Sequence, residues 1–200
     1  MKGSLVIVGF FILGALCGCL DLIPQWLTGG RVSFIALCAL MFCVGVTVGS
    51  NPKSFSEFRS LNPRLAILPL MTILGTIGGS AAASLVLMHR SLGDCLAIGA
   101  GFGYYSLSSV FITEYKGAEL GTIALLANIC REIFTLLAAP LLARWCGRLA
   151  PIAAGGATTM DTTLPIISRA SGPEFITLSI FHGFAVDFSV PFLVTLFCTV

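Results

Sequence analysis

Charge is what this chain has least of. Of its 200 residues, 11 are Lys or Arg and 9 are Asp or Glu, 10% in all, whereas a soluble globular domain carries about a quarter. So few charges cannot solvate a water-exposed surface around a composition that is 56% hydrophobic. That excludes a soluble enzyme and a disordered chain, and a net charge of only +2 gives no footing for nucleic acid. Histidine is scarce too, with only His89 and His182, and the eight cysteines contain no CxxC pair. A metal centre or a disulfide framework needs ligands clustered at short, regular spacing, so no metal and no cofactor is expected. The cysteines read as free thiols packing within apolar runs. No Ser–Lys, Ser–His or HExxH arrangement is visible, which argues against an intramembrane hydrolase and against an enzyme of any kind.

What the chain has in abundance is apolar length, with a mean hydropathy of +1.00. A window of about 19 residues finds about seven hydrophobic stretches, roughly 3–20, 32–49, 65–88, 93–113, 121–142, 152–170 and 175–199. Each approaches the ~20 residues a helix needs to cross ~30 Å of hydrocarbon, and backbone in lipid must satisfy its own hydrogen bonds. The expectation is an all-α polytopic membrane protein, multi-pass, with residues 1–200 forming a single transmembrane domain in the lipid bilayer. The start, Met1-Lys2 followed by an apolar run to Cys17 and Cys19, has the look of a secretory or lipoprotein leader. Nothing after it suits an exported soluble domain, so it is read as a first membrane helix.

The clearest polar loop is about 50–64, where Lys53, Arg59 and Arg64 face a single Glu57, a cytoplasmic signature. If all seven stretches cross, Lys2, Lys116 and Arg169 join it inside while Arg31, Arg90, Arg144 and Arg148 fall outside. That bias is weak and points to one stretch being re-entrant. Stretch four holds Gly99, Gly101 and Gly103 ahead of Tyr104, Tyr105, Ser106, Ser108 and Ser109. Stretch six holds Gly155, Gly156, Thr158, Thr159, Asp161, Thr162, Thr163 and Pro165. Such helix-breaking composition is tolerated at membrane depth where backbone is buried in protein or lines a cavity. One or both of these stretches are expected to be discontinuous or re-entrant, the alternative being a small-residue packing face.

Charges inside apolar runs mark candidate sites, because each costs about 2.5–3.5 kcal/mol at a helix centre. Arg131 and Glu132 sit at the middle of stretch five, pointing about 100° apart, so Arg131 needs a partner from another helix. Asn128, Glu132 and Thr135 share a direction and form a polar stripe, read as a substrate or proton site or as helix glue. Asp161 is placed either to cap a half-helix or to coordinate a cation. His182 and Asp187 lie in stretch seven on different faces, and His182 reads as a buried, hydrogen-bonded residue. Glu114, Lys116 and Glu119 read as a solvated loop. Glu132, Asp161 and Asp187 against Arg131 leave a surplus of acid in low dielectric, which suits a proton or a cationic solute.

In order along the chain, GFGYYSLSS, Thr113-Glu114, Asn128-x-x-Arg131-Glu132, GATTMDTTLP, Arg169 with Gly172, and His182-Gly183-Phe184 resemble the bacterial lysine exporter LysO family. The resemblance covers the carboxy-terminal two-thirds of its longer members, which carry further helices and another intramembrane acid at the amino end. It implies a secondary active exporter of L-lysine and close cationic analogues, by proton antiport across the bacterial inner membrane. The fold it implies is of the sodium/proton-antiporter and bile-acid-transporter type. The site it implies is Glu132 as the intramembrane acid beside Asn128 and Arg131. Asp161, Thr158 and Thr159 belong to one broken helix, and Tyr105, Ser106 and Ser108 to the other, with Glu114 and His182 in the remaining motifs. Ile129 stands where an Asp is expected after the helix-five Asn, and Asp187 falls outside these motifs. The alternative is a non-transporting membrane subunit or scaffold. The partners expected are L-lysine, protons, and either a second copy in a homodimer or a small companion membrane subunit.

Overall fold

The computed structural model describes Leu16, Cys17, Ile35, Ala39, Phe42, Val46, 63–87 and 89–199. The chain divides into two units, Met1–Ser50 and Asn51–Val200. In the first, the six described residues are all helical. Stretches one and two and the loop about 50–64 otherwise lie outside the described residues.

In the second unit, local sequence sets each boundary. A single turn, α1 (Pro63–Ala66), precedes α2 (Leu68–Val86), with Pro69 in the first turn, where a missing amide costs nothing. Ser91 accepts from the amide of Asp94 at 3.1 Å and so caps α3 (Leu92–Gly99). The chain then breaks through Phe102 and Gly103, both at positive φ, before α4 (Tyr105–Lys116). Gly117, at φ +93°, turns it into α5 (Ala118–Cys146). At 29 residues α5 is about 43 Å long. After Gly147 come α6 (Ala150–Gly155), a 3-10 turn over Gly156–Met160 and α7 (Leu164–Ser171). A second 3-10 turn, Pro173–Phe175, leads into α8 (Ile176–Thr199). The described residues contain no strand.

Among the described residues three helices are long and apolar enough to cross a membrane: Leu68–Val86, Ala118–Cys146 and Pro173–Thr199. Stretches four and six are each interrupted, and each folds back on itself. Lys116 at the end of α4 lies 3.6 Å from Asp94 at the start of α3, and Glu119 at the start of α5 pairs with Arg90 just before α3. Both ends of this first hairpin therefore share one end of the unit. At the opposite end Arg148, before α6, pairs with Glu174, after α7, at 2.7 Å. An apolar cluster of Ile152, Ile167 and Leu178 with Leu65, Leu68 and Leu149 closes that end. Arg90 and Lys116, which seven full crossings would set on opposite sides, thus lie at the same end of the unit.

The two hairpins enter from opposite ends and meet tip to tip. The Ala157 amide donates to the Phe102 carbonyl at 2.9 Å. Contact is this close because Gly156 sits at φ +62°, where a Cβ would come 2.2 Å from that same carbonyl oxygen. Gly183 lets α8 pass the second tip equally tightly, its absent Cβ leaving room for the Met160 backbone amide. Each hairpin follows one long helix, α2 or α5, and those two helices run in opposite directions. The pairing is that of an inverted repeat, the arrangement around which many transporters build a mid-membrane site.

Candidate functional site

The tips are held by side chains from the middle of α5. Asn128 is buried; its Oδ1 accepts the Gly103 amide at 2.7 Å, and its Nδ2 donates to the Ala124 carbonyl at 2.8 Å. Ser108 Oγ stands 3.4 Å from the same amide nitrogen and donates to the Tyr104 carbonyl at 2.8 Å. One turn on, the Arg131 guanidinium reaches the other hairpin, with Nε donating to Ala154 O at 2.9 Å and Nη2 to Ala153 O at 3.1 Å. Its Nη1 donates to Thr76 Oγ1 of α2 at 3.3 Å. Arg131 thus finds the partner from another helix that its position demands, and that partner is the carboxyl end of α6. The last carbonyls of a helix carry about half a negative charge and lack intrahelical donors, so a cation there is stabilised. Thr135, the third member of the stripe, returns its hydroxyl to the Arg131 carbonyl at 3.0 Å.

His182 belongs to the same framework. Nε2 lies 2.9 Å from Thr72 Oγ1 and Nδ1 lies 3.1 Å from Thr159 Oγ1, while Thr159 also donates to the Ser179 carbonyl at 2.9 Å. The ring is buried and fastens α2, the second tip and α8 to one another. Thr158 Oγ1 donates to the Gly155 carbonyl at 2.8 Å, which tightens the 3-10 turn.

Beside the tips opens a cavity of about 250 Å³, lined by Glu132, Asp161, Asp187, Tyr105, Ser106 and Thr158, together with Gly103, Tyr104, Ala157, Met160 and Thr162. It gathers three carboxylates from three elements: Glu132 at the midpoint of α5, Asp161 on the second tip and Asp187 at the middle of α8. Among the described residues no basic side chain lines it. Glu132 is half-buried, and Asp161 is exposed and accepts the Thr162 amide at 2.5 Å. Asp187 is only 6% exposed, and its Oδ1 has no hydrogen-bond partner. The amino end of α4, at Tyr105 and Ser106, has no capping side chain and also borders the cavity. An uncapped helix amino terminus favours an anion, so acid and electropositive backbone share one chamber.

Of the residues singled out in the sequence, Glu132, Asp161, Asp187, Thr158, Tyr105 and Ser106 are brought together at the cavity. Asn128, Arg131, Ser108, Thr159 and His182 stand behind it and position the tips. Glu114 lies exposed near the carboxyl end of α4, outside the cavity. Tyr104, Met160 and Thr162 complete the lining without having been candidates. Each adjoins one that was, so their signal was adjacency within the two glycine- and threonine-rich motifs. Cys17, Cys95, Cys130, Cys146 and Cys198, the cysteines among the described residues, are free.

Long apolar helices and two opposed hairpins whose tips meet beside an acidic cavity define a multi-pass membrane protein. The chain belongs to the Lysine exporter LysO family, whose model matches residues 8–198. It is similar to the Lysine exporter LysO of Escherichia coli K12, 30% identical over 167 residues, which are 84% of this chain and 55% of that protein. It is also similar to a Haemophilus influenzae protein whose name assigns it provisionally to lysine export, 34% identical over 195 residues. The chain therefore spans about half the length of the first relative and, at 95%, nearly all of the second. No solved structure matches it.

Proposed function

We propose that this protein exports L-lysine and close cationic analogues across the bacterial inner membrane, exchanging them for protons. The observation that carries this reading is the cavity itself, with three carboxylates, no basic side chain among its described lining residues and an uncapped helix amino terminus at mid-unit. Lysine presents two ammonium groups and one carboxylate, and such a chamber offers a partner to each. The names of both relatives support the choice of solute.

Glu132 carries the exchanged proton. It is half-buried at the centre of the longest helix, next to the Arg131 that holds one hairpin tip and one turn from the Asn128 that holds the other. A change of charge at Glu132 therefore acts where the two tips are tied. Glu132→Gln should keep the fold and abolish pH-coupled lysine export in proteoliposomes. Normal export by this variant would make Glu132 structural and shift the role to Asp161.

The distribution of basic residues supports an orientation. Arg144, Arg148 and Arg169 lie at the end from which α2 starts, and the sequence leading there supplies Lys53, Arg59 and Arg64. The opposite end has Arg90 and Lys116, each beside an acid. Positive residues favour the cytoplasm, so the Arg148 end faces inside. The working unit is a homodimer or a complex with a small membrane subunit. A Cβ at Gly75, Gly78 or Gly79 of α2 would meet no described atom within 4 Å, so these residues offer a small-residue face for close helix contact.

A further inference from the structure

Among the three acids of the cavity, Asp187 stands apart. Asp161 accepts from its neighbour Thr162, and Glu132 is half open. Asp187 is 94% buried on α8, between Val186 and the helix-internal Pro191, with one carboxylate oxygen for which no described residue supplies a donor. A buried carboxylate oxygen without a donor costs the full desolvation of that atom, and Asp187 also lines the cavity, so an entering ligand can reach this carboxylate. The charged and titratable groups that share the cavity with it are Glu132, Asp161, Tyr104 and Tyr105. None of the carboxylates can act as its counter-charge. Arg131 is committed to the α6 carbonyls and Thr76, and His182 to Thr72 and Thr159. With Arg131 and His182 spent elsewhere, this acid suits a cationic group of a ligand. In the same cavity the first turn of α4 presents backbone amides with no side-chain cap, which suit an anionic group.

We infer that Asp187 anchors a ligand ammonium group and that the amino end of α4 takes the carboxylate of the same ligand, so that the cavity selects amino acids with a cationic side chain. The choice of lysine as ligand rests on the export reading above; the anchor itself does not. A lone charge-assisted contact from a buried carboxylate is worth a large fraction of small-ligand affinity, because its loss leaves a buried charge unmatched.

The test is isothermal titration of the full chain in lipid nanodiscs with three probes: L-lysine, cadaverine, which lacks the carboxylate, and L-norleucine, which lacks the side-chain ammonium. Asp187→Asn, nearly isosteric, should weaken lysine and cadaverine by about 30-fold or more and leave norleucine unchanged. Asp187→Glu should recover part of the loss, which a merely misfolded variant would not do. Cadaverine should bind the unmodified protein at least tenfold more weakly than lysine. Asp187→Asn protein that binds lysine and cadaverine as tightly as the parent overturns the anchor. Equal parental affinity for lysine and cadaverine overturns the α4 carboxylate site. Asp187-dependent binding of cadaverine with no binding of lysine upholds the anchor and overturns the export reading instead.

Discussion

Replacing Gly156 by alanine perturbs the contact on which the whole site depends. Two costs follow from the geometry. The backbone there has φ +62°, which disfavours an L-residue by roughly 1–2 kcal/mol. The new Cβ would lie 2.2 Å from the Phe102 carbonyl oxygen, a backbone atom that cannot swing aside. The tips must separate, and the Ala157 amide and Phe102 carbonyl then lose their 2.9 Å bond inside the protein, at about 1–3 kcal/mol. The sum is about 2–5 kcal/mol, which by the scaling for domains of 150–250 residues lowers Tm by about 4–20 °C. Scanning fluorimetry in detergent measures it, with lysine export scored on the same preparation. Gly78→Ala is a companion variant: no described atom lies within 4 Å of a Cβ there, so alanine gains about 0.8–1 kcal/mol in a helix interior unless that face is packed in the oligomer. A Gly156→Ala protein that melts and exports like the parent would refute the tip-to-tip contact.

Other outcomes follow from the same contacts. Arg131→Met removes three donors from Ala153, Ala154 and Thr76, partly offset by relief of a buried charge, and should cost about 2–4 kcal/mol in thermal unfolding, with Arg131→Lys recovering part of it. Single cysteines at Arg90 and at Arg148 should label from opposite sides of the membrane, and cysteines at Asp94 and Glu119 from the same side as Arg90; labelling of positions 90 and 148 from one side would contradict the hairpin topology. Native mass measurement in lipid discs should find an oligomer, whereas a stable monomer that exports lysine would show that this chain closes its pathway alone. If Gly78→Ala lowers Tm instead of raising it, the α2 face is packed against a neighbouring helix.

The interruptions were legible because glycine, threonine and proline interrupt helices by local means, and both appear where Gly99–Gly103 and Gly155–Pro165 lie. The direction of the chain after each interruption was not, because hydropathy has no sign along the membrane normal. The ion pairs Lys116–Asp94 and Arg148–Glu174, between residues 22 and 26 apart, carry that information, and charge tallies by loop do not. The need of Arg131 for a partner could be read from its position. The identity of that partner could not, because helix carbonyls at Ala153 and Ala154 leave no mark in side-chain pattern. Of the stripe Asn128, Glu132 and Thr135, helical spacing gave the common direction but not the division of labour. Asn128 and Thr135 spend their polar atoms on backbone, and Glu132 alone reaches the cavity. Asp187, outside every motif, was reached by charge reasoning alone and lies deeper than the other two acids.

The most direct test of the account is solute-driven proton movement in proteoliposomes that contain this protein, oriented and sealed, with a pH-sensitive dye inside. An outward lysine gradient should drive proton entry in exchange, norleucine should drive none, and Glu132→Gln should abolish the lysine response. Absence of any lysine-dependent proton flux, with the protein folded and with or without a companion subunit, would contradict the proposal that this cavity exports lysine by proton exchange.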